Sequence, residues 1–118
     1  MFISAITDEV VQKLLEFREV RDWEQFHTPR NLSASLVIEA SELLECFQWA
    51  RDEELDGIVV REREHIEDEL ADVAILLTYL CIDMRVDINS AIKRKIQKND
   101  EKYPVQLARG SAKKYDEF

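Results

Sequence analysis

The chain has 118 residues, is 46% hydrophobic and contains only two glycines and two prolines. That is material for one domain with a core, and too few turn residues for a sheet protein. The net charge of -9 and the lack of a nucleic-acid-binding motif argue against a nucleic-acid partner. No apolar run approaches the roughly 18 residues of a membrane span. The start Met1-Phe2-Ile3-Ser4 lacks the basic and apolar regions of a secretory leader, so the expected location is cytoplasmic.

Thr7 followed by Asp8 and Glu9 reads as an N-cap with acids in the first turn, and Val10, Leu14 and Phe17 carry a first helix to about Arg21. Asp22 to His27 reads as a connector. Thr28-Pro29 supplies a cap and a proline at the first helical position, predicting a second helix to about Ala50. The charged run Arg51 to Gly57 reads as an exposed loop. Ile66, Leu70, Val73, Leu77, Leu80 and Met84 predict a third helix from near Val60 to about Met84. Asp87, with Ser90 three residues on, caps a fourth through about Lys102, and Pro104 ends it. From about residue 104 an irregular tail is expected. The fold class is therefore all-α, one four-helix-bundle-like domain over 1–118. Cys46 and Cys81 fall inside helical patterns and read as reduced core thiols.

Charge is segregated along this frame. Residues 1–92 carry 21 acidic and 8 basic side chains, whereas 93–114 carry 2 and 8. Such a division can set a cationic surface beside an acidic site, or simply leave a solvated basic helix.

On a helical wheel the second helix has the apolar stripe Leu36, Ala40, Leu43, Leu44 and Phe47, with Glu39 at its edge and Glu42 just beyond. On the third, Glu69 falls near the middle of the apolar arc and Asp72 one turn along. A carboxylate on a core-facing stripe must be protonated, paired or bound to metal. Four of them on facing helices repel, and a hard oxygen-seeking ion such as Mg²⁺ is the simplest neutraliser, with Mn²⁺ a possible substitute. Taken alone, Glu39 and Glu42 read as the solvated face of an acidic helix, and it is Glu69 in the apolar arc that turns the reading toward a site. Lys95 and Asn99, one turn apart on the basic helix, are candidates to meet phosphate oxygens. Trp23, Phe26, His27 and Trp49 lie near helix ends, where they either close the bundle or stack on a flat base. Tyr79 shares a side of its helix with Asp72.

Glu39-x-x-Glu42 followed by Glu69-x-x-Asp72 resembles the metal-binding signature of the MazG-like, all-α nucleotide pyrophosphohydrolases. The resemblance is closer to the dCTP pyrophosphatase branch through Arg21-Asp22-Trp23-Glu24-Gln25-Phe26-His27-x-Pro29-Arg30-Asn31-Leu32, Glu45-x-Phe47-Gln48-Trp49, Lys102-Tyr103-Pro104 and Leu107-Ala108-Arg109-x-Ser111-x-Lys113-Lys114-Tyr115. It implies hydrolysis of a nucleoside triphosphate, dCTP or a modified dCTP, to monophosphate and pyrophosphate, in nucleotide-pool sanitation by a homotetramer. It implies Mg²⁺ on Glu39, Glu42, Glu69 and Asp72, and a nucleotide pocket lined by His27, Trp49, Lys95 and Asn99, with Tyr79 a further member. The broader family often begins its motif with two adjacent acids; here Ile38 takes the first position.

Two other readings fit parts of the pattern. A carboxylate-bridged di-iron bundle needs two Glu-x-x-His motifs, and the chain offers Glu62-x-x-His65 plus a Glu24/His27 pair in a connector. A non-catalytic helical interaction module would use the acids only for solubility.

Overall fold

The computed structural model describes residues 6–118, so Met1-Phe2-Ile3-Ser4 lies outside the described residues. They form two compact units, one through Met84 and the other Arg85–Phe118. Among the described residues there are helices and no strands, and no helix is long and apolar enough to cross a membrane.

In the first unit, α1 (Asp8–Val20) starts where the Thr7 hydroxyl accepts from the Val10 amide at 3.3 Å, and Asp8 and Glu9 sit at its positive end. Its inward face is not the Val10/Phe17 row. Those two are 45% and 44% exposed, while Val11, Leu14, Leu15 and Arg18 turn inward. Asp22, at φ 53°, reverses the chain into a single 3₁₀ turn, Glu24–Phe26. Thr28 then caps α2 (Pro29–Glu45) by accepting from the Asn31 amide at 3.1 Å.

α2 ends five residues short of the expected Ala50. Beyond it the amides of both Phe47 and Gln48 donate to the Leu44 carbonyl at 2.9 Å, so the last turn tightens and the chain leaves the helix axis. The segment expected as a loop from Arg51 to Gly57 is instead a 3₁₀ turn, Asp52–Glu54, running into a short helix, α3 (Leu55–Arg61). Leu55, Ile58 and Val59 have helical spacing. Burying Ile58, 7% exposed, against α4 is worth about 2 kcal/mol. That outweighs the roughly 1 kcal/mol cost of Gly57 inside the helix. α4 (Arg63–Met84) begins after a break at Glu62.

The principal packing is α2 along α4, with α1 touching α4 over a smaller area. The α2 face turned inward carries Leu32, Leu36, Glu39, Glu42 and Leu43, and Phe47 in the turn beyond it is half-buried. Ala40 and Leu44, expected in the stripe, are exposed, as are Val37 and Ile38. The helix is rotated so that Glu39 and Glu42 share the inward face with Leu32, Leu36 and Leu43, while Val37, Ile38 and Leu44 face outward. Only Leu32, Ile58 and Tyr79 are fully buried apolar residues among those described.

The second unit holds α5 (Ile88–Lys102), capped by Asp87 accepting from the Ser90 amide at 3.2 Å. The tail expected to be irregular contains α6 (Val105–Ala108) and a 3₁₀ turn, Tyr115–Glu117. Tyr103 meets Tyr115 and Phe118 edge-on at ring separations of 6.2 and 6.0 Å, and Lys102 lies 5.0 Å from the Tyr115 ring. These contacts fold the tail back on the end of α5.

Candidate active site

Where α2 and α4 face each other, Glu39, Glu69 and Asp72 each present a carboxylate oxygen within 4.8 Å of the others. The spacing explains the meeting. Glu69 and Asp72 are three residues apart and share a face of α4, and the rotation of α2 brings Glu39 opposite. Glu69 is 9% exposed. One oxygen each of Glu39 and Glu69 is buried with no hydrogen-bond partner, an unusual state for a buried polar atom.

The electrostatics follow from this crowding. Hydrogen bonding with the neighbouring Glu42 pushes the Glu39 carboxyl up to about 7, helped by burial and by the charges of Glu42, Asp72 and Glu69. Burial first, then the Glu42 charge, raises Glu69 as well. Glu42 thus acts on both, although it is not part of the tight triad. His65 brings Nε2 to 3.9 Å from Glu69, too far for a hydrogen bond. Buried like charges with orphaned oxygens have the donor chemistry that hard divalent ions such as Mg²⁺ require. The residues therefore fit such an ion.

Asp72 also lines a mostly apolar cleft of about 270 Å³, with Leu14, Phe17, Trp23, His27 and Tyr79 among the other walls. The aromatic rings form a chain: Phe17 on Trp23 at 5.7 Å, Trp23 on His27 at 6.5 Å, His27 on Tyr79 at 5.1 Å. The Tyr79 hydroxyl donates to the Leu14 carbonyl at 2.6 Å, so the ring faces the cleft while the phenol ties α4 to α1. His27 Nδ1 is buried and unpartnered. Burial, and then the Arg18 charge, hold the imidazole below its usual range, which favours the neutral ring.

The site residues expected from sequence are thus distributed unevenly. Glu39, Glu69 and Asp72 converge, Glu42 stands beside them, and His27 and Tyr79 share the cleft with Asp72. Trp49 is 88% exposed in the turns after α2 and does not line that cleft. Lys95 and Asn99 lie on α5 in the second unit. Glu62 sits at the helix break and not in α4, so Glu62-x-x-His65 is not a motif on one continuous helix.

Sequence reasoning missed Arg18 and Asp83. Arg18 is 4% exposed and donates twice to Asp83, at 2.8 and 2.9 Å; its guanidinium carbon is 4.8 Å from the centre of the Tyr79 ring. The signal was available, since Arg18 continues the Val11, Leu14, Leu15 face in the way Glu69 continues the apolar arc of α4.

Fold and site together define an all-α protein whose central helix pair encloses clustered carboxylates beside an aromatic cleft. The chain belongs to the MazG-like family, whose model matches residues 34–118 and so runs through both units. It is 46% identical to dCTP pyrophosphatase 1 of Bos taurus over 120 residues, covering 99% of this chain and 71% of the relative. To dCTP pyrophosphatase 1 of Homo sapiens it is 48% identical over 105 residues, 87% of this chain and 62% of the relative. The chain therefore spans less than two thirds of the human relative's length. A solved pyrophosphatase from Archaeoglobus fulgidus superposes with a TM-score of 0.80 at 41% identity, covering 88% of this chain and 97% of that one.

Proposed function

We propose that this chain hydrolyses a nucleoside triphosphate, dCTP or a modified dCTP, to the monophosphate and pyrophosphate, and so clears unwanted nucleotides in the cytoplasm. The observation that carries the reading is the carboxylate cluster, with its two orphaned oxygens, sharing Asp72 with an aromatic cleft. The similarity to dCTP pyrophosphatases supports the choice of substrate.

In this reading Glu39, Glu42, Glu69 and Asp72 hold Mg²⁺ or, in its place, Mn²⁺. The ion supplies charge neutralisation, polarisation of phosphate oxygens and acidification of water. The protein's own groups do the rest. Glu39 or Glu42, as the ionised carboxylate, accepts a proton from the attacking water. The Trp23, His27 and Tyr79 rings enclose a flat base and exclude solvent, and the unpartnered Nδ1 offers it one hydrogen bond. Lys95 and Asn99, one turn apart on α5, enter as cationic and amide partners for phosphate oxygens, and Trp49 as a stacking surface. A single functional domain over 1–118 is part of the same proposal.

Assembly belongs with it. Val37, Ile38, Leu44, Leu70 and Trp49 are between 50% and 88% exposed, and large apolar side chains left uncovered in this number favour burial between subunits. We take the assembly to be a homotetramer, in which Trp49 reaches a neighbour's nucleotide.

The test is pyrophosphate release from a panel of canonical and modified dNTPs and NTPs, with Mg²⁺ and with EDTA, using Glu69→Gln as control. Mg²⁺-dependent release, strongest with a cytosine nucleotide and lost in the variant, is the expected result. Silence from folded protein across the panel would overturn it.

A further inference from the structure

Arg18 and Asp83 take no part in the proposed hydrolysis, yet they form a charge pair in the first unit whose Arg18 side chain is buried and whose Asp83 side chain is 27% exposed. A bidentate guanidinium–carboxylate bond fixes distance and rotation together, which a lysine cannot do. The bond joins α1 to α4 at Asp83, one turn beyond Tyr79, and the same guanidinium packs on the Tyr79 ring. Tyr79 in turn packs on His27 and bonds the Leu14 carbonyl. The Arg18 carbonyl accepts from the Trp23 amide at 3.1 Å, so the turn carrying Trp23 begins on this residue. The direct helix contact between α1 and α4 is small, so these polar links set where the Trp23 and His27 wall stands.

We propose that Arg18, clamped by Asp83, is a positioning residue for base selection: it sets the Trp23–His27–Tyr79 wall so that the buried, unpartnered His27 Nδ1 meets the base at one distance. This inference rests on the proposed nucleotide hydrolysis and adds to it the device that makes the cleft selective. Discrimination between bases depends on a buried polar group being matched or left unpaired, which a wall free to shift by about an ångström loses. Arg18 touches neither the substrate nor the Glu39–Glu69–Asp72 cluster in this scheme and acts through His27.

The experiment is a double-mutant cycle on the full chain with Arg18→Lys, His27→Ala and the double variant, measuring kcat and KM for dCTP and dTTP with Mg²⁺. Arg18→Lys is expected to lower kcat/KM for dCTP by about tenfold, mainly through KM, and to narrow the dCTP to dTTP ratio. His27→Ala should narrow it to the same value, and the double variant should do no worse than His27→Ala alone. Equal losses on both nucleotides, or costs that add in the double variant, would reduce Arg18 to a structural clamp and overturn the proposal. If Arg18→Lys does not fold by circular dichroism, Asp83→Asn, at a side chain 27% exposed, takes its place under the same criteria. A wild-type protein that is folded and inactive on every nucleotide sinks the proposed function and this inference together; activity with additive losses sinks this inference alone.

Discussion

Two groups of charge, both anchored on α4 and each with one buried member, Arg18 or Glu69, solve the problem of burial in opposite ways. Arg18 and Asp83 are of opposite sign, meet bidentately at 2.8 and 2.9 Å and leave no orphaned atom. Glu39, Glu69 and Asp72 are of like sign, crowd within 4.8 Å and leave two buried oxygens without partners. The first arrangement is self-sufficient and stabilises contact between helices. The second is stable only when protonated or neutralised from outside. Such a cluster has the donor chemistry of a cation site, and the contrast separates charges that satisfy each other from charges that need neutralising from outside.

Breaking the like-sign cluster should have the largest effect. Glu69→Gln is expected to lower Mg²⁺-dependent pyrophosphate release by at least about a hundredfold, while leaving the metal-free Tm unchanged or higher, because a repelling buried charge is gone. A variant with a sharply lower metal-free Tm would show that Glu69 is structural.

Breaking the paired group should do the reverse. Arg18→Met is expected to destabilise the protein by about 1–3 kcal/mol in urea unfolding; the loss stays modest because the Asp83 side chain is 27% exposed and can be solvated. No loss of stability would mean the pair contributes nothing to holding α1.

Acidity sharpens the comparison further. The Glu39 carboxyl, raised to about 7, binds its proton more tightly in the folded than in the unfolded chain. Native protein then holds more protons than unfolded protein between the ordinary carboxyl range and 7, so stability falls as pH rises through that window. Without metal, Tm should drop from pH 5 to pH 8. Saturating Mg²⁺ should remove the drop and, at a hundred times its Kd, add about 2.7 kcal/mol at pH 8. A metal-free Tm that is flat over this range would deny the raised carboxyl.

The smallest effect supplies a baseline distant from both charge groups. Nothing lies within 4 Å of a Cβ at Gly57, inside α3, so Gly57→Ala should stabilise by about 0.4–1 kcal/mol with activity unchanged. Destabilisation there would show that Gly57 is not held in a helical conformation open to other residues.

Helices were legible where local signals agreed. Thr7, Thr28 and Asp87 cap α1, α2 and α5 at the expected residues, because a hydroxyl or carboxylate three residues from an open amide is a short-range geometry. α3 was hidden by a run of acids and Gly57, since its helix is stabilised by burying Ile58 against a distant segment. The end of α2 was overestimated because nothing local to Phe47-Gln48-Trp49 forbids another turn.

By itself the sequence determined the all-helical class, the caps, and the placing of four carboxylates in pairs three residues apart, because these depend on chain neighbours and a 3.6-residue period. The rotation of α2 that turns Glu39 inward and Leu44 outward was decided only in the tertiary structure. So was the pairing of Arg18 with Asp83, 65 residues away, and so was the sharing of Asp72 between cluster and cleft. Each depends on which faces of separate helices meet, and that is settled by packing over the whole helix pair rather than by any one stretch of chain.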